Sequence, residues 1–274
     1  MIQFKNVNFS YSRSSQLVLE NINLNLGPGH IYGLLGKNGV GKTTLFRLIT
    51  GLNRVSAGSV ETLGAVPHNR LPSMLNQIFL LPEKIHAPNM SITTYGKKFG
   101  SFYPDYSESR LQTLLEGFEV KPDQSLSSMS QGQHKKAYMA FALACNTKIL
   151  LMDEPTNGLD IPSKTIFRNY LAEQNTSERL IIISTHQVRD LERLIDGVII
   201  LEDRSILMCD TADHLLERFH FGNITNPEKV VYQEDTVQGK IGLQSRDTEP
   251  VQGIAELNLE TLFNAVISDK KRTW

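Results

Sequence analysis

The chain has 274 residues, of which 40% are hydrophobic and 21% are charged, and its formal net charge is −1. This length and composition predict a globular protein with one large domain, or with one domain and appendages, and enough apolar side chains for a core. The near-zero charge argues against a general basic surface that wraps nucleic acid, and we expect no nucleic acid partner.

The apolar runs of the chain are short. The longest, such as "LIIIS" and "GVIIL", have strand length and fall far below the roughly 18 to 20 residues that cross a bilayer. The N-terminus alternates like a strand and lacks the pattern of a signal peptide. A role at a membrane would therefore need another chain to span it. Cys145 and Cys209 lack metal or redox spacing, and we interpret both as buried small hydrophobes of a reducing compartment.

The first 82 residues predict antiparallel strands followed by a strand–helix unit. "IQFKNVNFSY" and "LVLENINLNL" both alternate, as half-buried strands do. "HIYGLLG" predicts a buried strand that runs into glycines, "KTTLFRLITGL" a helix, residues 58–64 a short strand, and "QIFLLPE" a strand that Pro82 ends.

Residues 83–145 favour helix in "SITTYGKKFGSFY", "SESRLQTLLEGFEV" and "GQHKKAYMAFALA". Strands and helices then alternate through "KILLMDEP", a helix after Pro162, "RLIIIST" and the helix "HQVRDLERLI". A hairpin of "GVIILED" and "SILMC" and the helix "TADHLLERF" follow. This alternation predicts an α/β fold with a mainly parallel sheet that is covered on both faces.

The predicted organisation has three parts. Residues 1–82 and 146–219 form an α/β core with an N-terminal antiparallel β subdomain, and residues 83–145 form an inserted helical subdomain. Residues 220–274 are a C-terminal extension of unknown role with strands and a final helix near "LETLFNAVI". We interpret this extension as a packing element by default.

"GKNGVGKTT" fits the phosphate-binding pattern G-x-x-x-x-G-K-[ST] between a predicted strand and a predicted helix. Glycines let successive N–H groups point at phosphate oxygens, and the helix N-terminus adds positive partial charge. Lys42 would reach the β- and γ-phosphates, and the Thr43 hydroxyl would bind Mg²⁺. The alternative is a plain glycine-rich turn before a helix. The predicted nucleotide-binding residues are Gly36, Lys37, Asn38, Gly39, Val40, Gly41, Lys42, Thr43 and Thr44.

Two further strand ends carry candidate catalytic groups. Asp153 ends "ILLMD" and would hold Mg²⁺, while Glu154 could orient and deprotonate an attacking water. The alternative is a pair of solvated acids at a strand end. His186 follows "LIIIST" at the edge where ligands of parallel sheets gather, and could hydrogen-bond a γ-phosphate. A structural histidine at a helix start is the other interpretation.

Two helix starts have capping residues. Ser130 and Gln133 have the S-x-x-Q spacing of a capping box. Asp160, in "NGLDIP", could cap the helix that Pro162 helps to start, and spacing alone favours that interpretation.

Taken together, these segments resemble the ATP-binding subunit of an ABC transporter over about residues 1 to 219. "GKNGVGKT" is similar to the Walker A motif, "ILLMDEP" to Walker B, "NGLD" to the D-loop and "STH" to the switch-histidine motif. "MSQGQ" stands where the family has its signature LSGGQ. The resemblance implies a P-loop NTPase fold, with ATP and Mg²⁺ as its ligands.

The resemblance also implies roles for individual residues. Glu154 and His186 would be catalytic, and Tyr11 would stack on adenine, although it could equally be a tyrosine at a strand end. The signature and the D-loop would contribute nucleotide contacts from Ser130, Gly132, Gln133 and Asp160.

The sequence departs from the family pattern at several positions. Glu83 falls where the Q-loop glutamine is usual, and Gln77 lies too early. A glutamate there could bind Mg²⁺ through an oxygen but cannot donate as an amide does. In the signature, Met129 replaces leucine and Gln131 replaces the first glycine, while Lys136 stands for the usual arginine of the helix and lacks its planar fork.

The resemblance implies an ATPase on the cytoplasmic face of a membrane. Two such subunits, identical or related, would form a head-to-tail sandwich around ATP and drive a separately encoded transmembrane permease chain docked near the helical insertion. An ABC-type ATPase that acts on ribosomes or DNA is the alternative, although such proteins usually carry two cassettes or long coiled-coil insertions. A P-loop kinase or GTPase would not explain the signature, and "TNGLD" is not the guanine-reading N-K-x-D.

Overall fold

A six-stranded sheet lies at the centre of the fold. The computed structural model describes residues 1–11, 16–187, 192, 194–224, 226–236, 239–246, 256–270 and 274. The strands are β1 Ile2–Phe9, β2 Leu19–Leu26, β3 His30–Leu35, β4 Ala57–Thr62, β5 Ile78–Leu81, β6 Ile149–Asp153, β7 Leu180–Thr185, β8 Gly197–Glu202, β9 Ser205–Thr211, β10 Phe219–Asn223, β11 Val230–Thr236 and β12 Gly239–Ser245. The helices are α1 Lys42–Ile49, α2 Pro72–Leu75, α3 Ile92–Phe99, α4 Glu108–Gly117, α5 Gln131–Ala144, α6 Ile161–Glu173, α7 Ala212–Arg218 and α8 Leu259–Ser268.

The central sheet has the order β5-β6-β7-β3-β8-β9, and its pairs are parallel except for the antiparallel pair β8–β9. All residues of β6, β7 and β8 are buried, as continuous apolar runs are in a sheet that is covered on both faces. Because β3, β6 and β7 are parallel neighbours, their carboxyl ends meet at one edge. The predicted α/β architecture is confirmed.

The N-terminal strands form a separate antiparallel sheet of order β2-β1-β4. The predicted strand at residues 58–64 is therefore β4, and it belongs to this sheet. Apolar side chains of β1 and β2 share a buried cluster with α1, to which Phe4, Ile22 and Phe46 belong. This packing fixes α1, and with it the loop that precedes α1, against both sheets.

The inserted segment is helical, as predicted. Each of its three helices begins after a serine whose side chain accepts a hydrogen bond from a backbone N–H three residues later: Ser91, Ser107 and Ser130. Aromatic rings hold α3 against α5, with Tyr95 centred 5.1 Å from Tyr138 and 5.0 Å from Phe141.

The C-terminal extension forms a sheet of order β10-β12-β11 with α8 packed on it. Leu259, Leu262, Ala265 and Val266 of α8 are buried in the same apolar cluster as the central sheet. The predicted final helix is thus present and packs on the body of the protein. The boundaries of the three predicted parts, at residues 82, 145 and 219, stay predictions.

The two cysteines differ in burial. Cys145 is buried as expected, whereas Cys209 is exposed, because β9 is an edge strand with one neighbour; its interpretation as a buried residue was wrong. The predicted helix "HQVRDLERLI" falls largely on residues 188–191 and 193, which lie outside the described residues. Over the described ranges, no helix has the length and hydrophobicity that a bilayer crossing requires.

Candidate nucleotide-binding and catalytic site

A cavity of about 520 Å³ opens where β3, β6 and β7 end. It brings together the loop before α1, the end of β6 and the residue after β7, which the sequence predicted separately. The residues that line it are Tyr11, Val18, Asn38, Gly39, Gly41, Lys42, Thr43, Thr44, Glu83, Asp153, Glu154, Asn157 and His186. Lys37 and Val40 line an adjoining cavity of about 510 Å³.

The loop before α1 needs glycine at two positions. Gly41 has φ +120°, and a Cβ added to Gly36 would lie 2.4 Å from the carbonyl oxygen of Leu201. None of the described side chains caps the first turn of α1. The N–H groups of that turn are therefore available to an anion at the helix N-terminus.

Lys42 is the buried cation of this loop. Its side chain is 6% exposed, and its Nζ donates to the carbonyl oxygens of Gly36 at 2.7 Å and Lys37 at 3.2 Å. Burial lowers the pKa of Lys42, and the negative charges of Glu154 and Asp153 oppose that shift. The loop thus wraps around an ammonium group that points into the cavity.

Asp153 joins α1 to the end of β6. The Thr43 hydroxyl donates to Asp153 Oδ2 at 2.5 Å, and the Ser184 hydroxyl donates to Asp153 Oδ1 at 2.5 Å. Asp153 is buried, so these two bonds fix its carboxylate. The paired oxygens of Thr43 and Asp153 suit a hard cation such as Mg²⁺, which prefers oxygen ligands.

Glu154 is a buried carboxylate beside two basic groups. Its Oε1 lies 2.9 Å from His186 Nδ1 and 3.7 Å from Lys42 Nζ. Neither carboxylate oxygen accepts a hydrogen bond of good geometry from the described residues. A buried carboxylate in that state has free acceptor sites for a water or a substrate in the cavity.

Tyr11 and Glu83 both line the cavity, while their predicted roles stay predictions. Tyr11 is 40% exposed, its hydroxyl lies 3.0 Å from Thr44 Oγ1, and its ring meets Phe9 edge-on at 4.9 Å. Glu83 is exposed, in the segment after β5. Lys37 instead pairs with the buried Glu202, at 3.2 Å.

The signature segment lies apart from this cavity. Ser130 Oγ accepts from the Gln133 N–H at 3.3 Å, and Gln133 Oε1 accepts from the Ser130 N–H at 3.3 Å, which completes the predicted capping box. A Cβ on Gly132 would lie 3.4 Å from the Gly158 carbonyl oxygen. Among the described residues that line the cavity, none belongs to α5 or its cap.

Asp160 caps α6. Its Oδ1 accepts from the Ser163 N–H at 2.8 Å, and hydrogen bonding from Ser163 lowers the pKa of Asp160. The spacing argument that favoured a cap agrees with this geometry. Asp160 is exposed and is not among the described residues that line the cavity.

Residues 19–157, about half of the chain, match the family described as ABC transporter. The chain belongs to the ABC transporter family. It is therefore an ATP-binding chain of the ABC ATPase class, as the motifs predicted. The ABC fold also explains why the phosphate loop, both strand-end acids and the histidine share one edge.

Curated relatives agree with this family. The chain is 29% identical over 209 residues to the Nod factor export ATP-binding protein I of Cupriavidus metallidurans, which covers 74% of this chain and 68% of that protein. It is 28% identical over 209 residues to the ABC transporter ATP-binding protein YtrB of Bacillus subtilis, with 74% and 70% covered.

Solved structures share the ABC fold. An ATP-binding subunit of an ABC transporter superposes with a TM-score of 0.72 at 24% identity, over 78% of this chain and 91% of that one. A dimeric ATP-binding cassette in a post-hydrolysis state, bound to ADP and phosphate, superposes with a TM-score of 0.69 at 22% identity, over 77% and 98%. At these identities the likeness establishes the fold.

Sequence reasoning missed two residues of this ABC site. Ser184 lies in β7, two residues before His186, and its hydroxyl fixes Asp153. The pairing of β6 with β7 is the feature from which this contact could have been predicted. Lys135 is buried in α5, and its Nζ donates to the carbonyl oxygens of Glu154 at 2.6 Å and Asn157 at 3.0 Å. The sequence carries no signal for it, because Lys135 stands between His134 and Lys136 at the polar start of α5.

Proposed function

We propose that this chain hydrolyses ATP as the nucleotide-binding subunit of an ABC transporter whose membrane-spanning chain is separate. The observation that carries the proposal is the meeting of Lys42, Thr43, Asp153, Glu154 and His186 around one cavity at the sheet edge. These groups supply what phosphoryl transfer to water requires: phosphate donors, metal ligands and a base.

The phosphate loop binds the nucleotide in this proposal. The N–H groups of residues 36–44 and the Lys42 ammonium hold the β- and γ-phosphates, and ATP replaces backbone carbonyls as the partner of Lys42 Nζ. Tyr11 offers its ring face to adenine, with its hydroxyl tied to Thr44.

Thr43 and Asp153 would hold Mg²⁺, and Glu83, which also lines the cavity, would offer a third oxygen donor. When bound, Mg²⁺ neutralises charge on the phosphate oxygens. Mg²⁺ sites in such enzymes usually combine one or two protein carboxylates with substrate phosphates and water, and this donor set fits that pattern.

Glu154 acts as the general base. Its carboxylate accepts a proton from a water as the water oxygen attacks the γ-phosphorus and the bond to ADP breaks, which yields ADP and phosphate. The free acceptor sites of Glu154 and its place 3.7 Å from Lys42 Nζ support this role. His186 hydrogen-bonds the γ-phosphate from beside Glu154.

The signature completes the site of a second subunit. Ser130, Gly132, Gln133 and Asp160 lie outside this chain's own cavity, at the N-terminal ends of α5 and α6. They would face the ATP of a second copy or of a related subunit, where helix N-terminal N–H groups and hydroxyls attract phosphate. A dimeric cassette among the structural neighbours supports this arrangement.

The membrane partner is a transmembrane permease chain, and we place this subunit on the cytoplasmic face of the membrane. Support comes from the relatives, which are named as ATP-binding proteins of transporters and of Nod factor export. The same names favour a transporter over an ATPase that acts on ribosomes or DNA.

Two variants test the proposed roles. Glu154→Gln should lower kcat for ATP hydrolysis by about 10²- to 10⁴-fold while ATP still binds, because the amide cannot take the proton. Lys42→Ala should weaken ATP binding by about 10- to 100-fold, because a charge-assisted contact to phosphate is lost. Steady-state kinetics and a fluorescent ATP analogue measure both effects.

The exposed Lys121→Met is the control and should leave both values at the parent level. Hydrolysis by Glu154→Gln at the parent rate would remove Glu154 from its role. Unchanged ATP affinity in Lys42→Ala would refute the assignment of the phosphate loop.

A further inference from the structure

Lys135 is a buried charge in the second turn of α5, just before the apolar stretch that begins at Ala137. Its Nζ donates to the carbonyl oxygens of Glu154 at 2.6 Å and Asn157 at 3.0 Å. A buried ammonium is unfavourable unless it is paired. Burial lowers the pKa of Lys135, and the negative charges of Glu83, Glu154 and Asp153 oppose the shift. These contacts hold the cation at one place against residues 154–157.

The backbone of Glu154 has an uncommon conformation. Its φ is +48°, in the left-handed region that residues with a Cβ seldom adopt unless their surroundings fix them. On one side, the Glu154 N–H donates to the carbonyl and the hydroxyl of Ser184, both at 3.1 Å. On the other side, the Glu154 carbonyl accepts from Lys135. Ser184 and Lys135 thus fix the two peptide groups that flank Glu154.

The direction of the Glu154 side chain depends on this backbone. Its carboxylate oxygens accept no hydrogen bond of good geometry from the described residues, and Oε1 lies 2.9 Å from His186 Nδ1 and 3.7 Å from Lys42 Nζ. Where side-chain hydrogen bonds do not orient a carboxylate, the backbone sets its position. A change of φ at residue 154 would therefore swing the carboxylate away from the cavity.

We propose that Lys135 is a positioning residue for ATP hydrolysis, which holds the Glu154 backbone so that the carboxylate faces the phosphate loop. The inference rests on the proposed function, because it takes Glu154 as the base. It also gives α5 a second task. Lys135 lies in the same helix as the Ser130 cap. Contact of that cap with a second subunit's nucleotide would therefore change the position of Glu154 in this chain.

The test separates positioning from a structural role through kcat and KM. Lys135→Met keeps an unbranched side chain and removes the donor, and Lys135→Gln replaces the ammonium with an uncharged amide. Both side chains are one atom shorter than lysine. Both should lower kcat by about 10- to 100-fold, the usual effect of a misplaced catalytic group, with KM for ATP within about threefold of the parent. Lys135→Arg, which can donate to both carbonyls, should retain more activity than either. The exposed Lys121→Met is the matched control and should behave as the parent.

A double variant shows whether Lys135 acts through Glu154. Adding Lys135→Met to Glu154→Gln should lower the residual rate by less than about twofold, because the group it positions is already gone. A loss by the same factor as in the parent background would overturn the proposal. A parental kcat in Lys135→Met would also overturn it. The same holds if KM of Lys135→Met rises by the factor by which kcat falls, or if both Lys135→Met and Lys135→Gln are insoluble.

Failure of the proposed function would look different. A parent chain without ATPase activity, or full activity in Glu154→Gln, would refute the function itself. Parental kcat in Lys135→Met beside an inactive Glu154→Gln would refute only the positioning role.

Discussion

Gln131 departs from the family signature within the segment that we propose to face a second subunit. It is the first residue of α5, directly after the Ser130 cap, and its side chain is exposed. The family has a glycine there, so this chain adds an amide at the place proposed to meet a neighbour's phosphates. Its NH₂ group can donate a hydrogen bond to a phosphate oxygen.

We expect Gln131→Gly to weaken ATP-driven dimerisation by about 2- to 10-fold, the usual effect of one lost hydrogen bond. ATP affinity of the isolated subunit should not change, because Gln131 does not line the described cavity. Sedimentation over a range of protein concentrations, with ATP and the Glu154→Gln background, measures the effect. Equal dimerisation constants would show that the substitution is merely tolerated.

The candidate site residues that follow buried strands could be predicted from the sequence. Lys135, whose side chain contacts backbone carbonyls, could not. Asp153, Glu154 and His186 each stand at the end of an apolar run, and parallel strands bring such ends together. Lys135 shows the opposite case. A lysine in a helix usually extends to solvent, and only the structure reveals that its ammonium lies on the Glu154 carbonyl.

At the scale of elements, α5 joins two roles. Its first turn carries the capping box and the signature, of which Ser130 and Gln131 are exposed, and the helix is buried from Ala137 to Ala144. From the sequence alone, the spacing of Ser130 and Gln133 predicts only the start of a helix. The structure shows that the same cap leaves Ser130 exposed while the helix packs tightly behind it.

The C-terminal helix α8 is tied to the body of the protein at both ends. Its first N–H, at Leu259, donates to Glu192 Oε1 at 2.8 Å, and Lys270 just beyond it pairs with Asp203 at 2.5 Å. Between them Leu262 is fully buried. Asp203 follows Glu202, which pairs with Lys37 of the phosphate loop, so the C-terminal end of α8 is anchored beside a residue that contacts this loop.

We predict that Leu262→Ala lowers the free energy of unfolding by about 2 to 5 kcal/mol, because a large apolar side chain leaves a cavity in a shared core. Leu52→Ala is the control, since Leu52 is 55% exposed and should change stability by less than about 0.5 kcal/mol. Chemical denaturation measures both. A Leu262→Ala protein as stable as the parent would show that the extension does not contribute to the core.

At the scale of the whole molecule, the alternation of strands and helices predicted the class of fold but not the strand order. The order β5-β6-β7-β3-β8-β9 places β3 between β7 and β8, which follow it by more than a hundred residues. Such pairing depends on crossover connections and on packing of both faces, and neither can be read from local periodicity. The phosphate loop and His186 meet because of this order.

The molecule has half of each of two ATP sites in the proposed assembly. Its cavity is lined by the phosphate loop, the proposed metal ligands and the proposed base, whereas no described residue of its signature lines that cavity. ATP would then join two subunits, and hydrolysis would release them, which makes the dimer a switch driven by its ligand.

The most direct test is the mass of the full-length Glu154→Gln chain in solution with and without ATP and Mg²⁺, measured by light scattering. We predict a monomer without nucleotide and a dimer with ATP, while the Lys42→Ala/Glu154→Gln double variant stays monomeric. The contradicting result is a Glu154→Gln chain that binds ATP and still does not pair with a second copy. This result must hold for the chain alone and for the chain co-purified with its membrane partner.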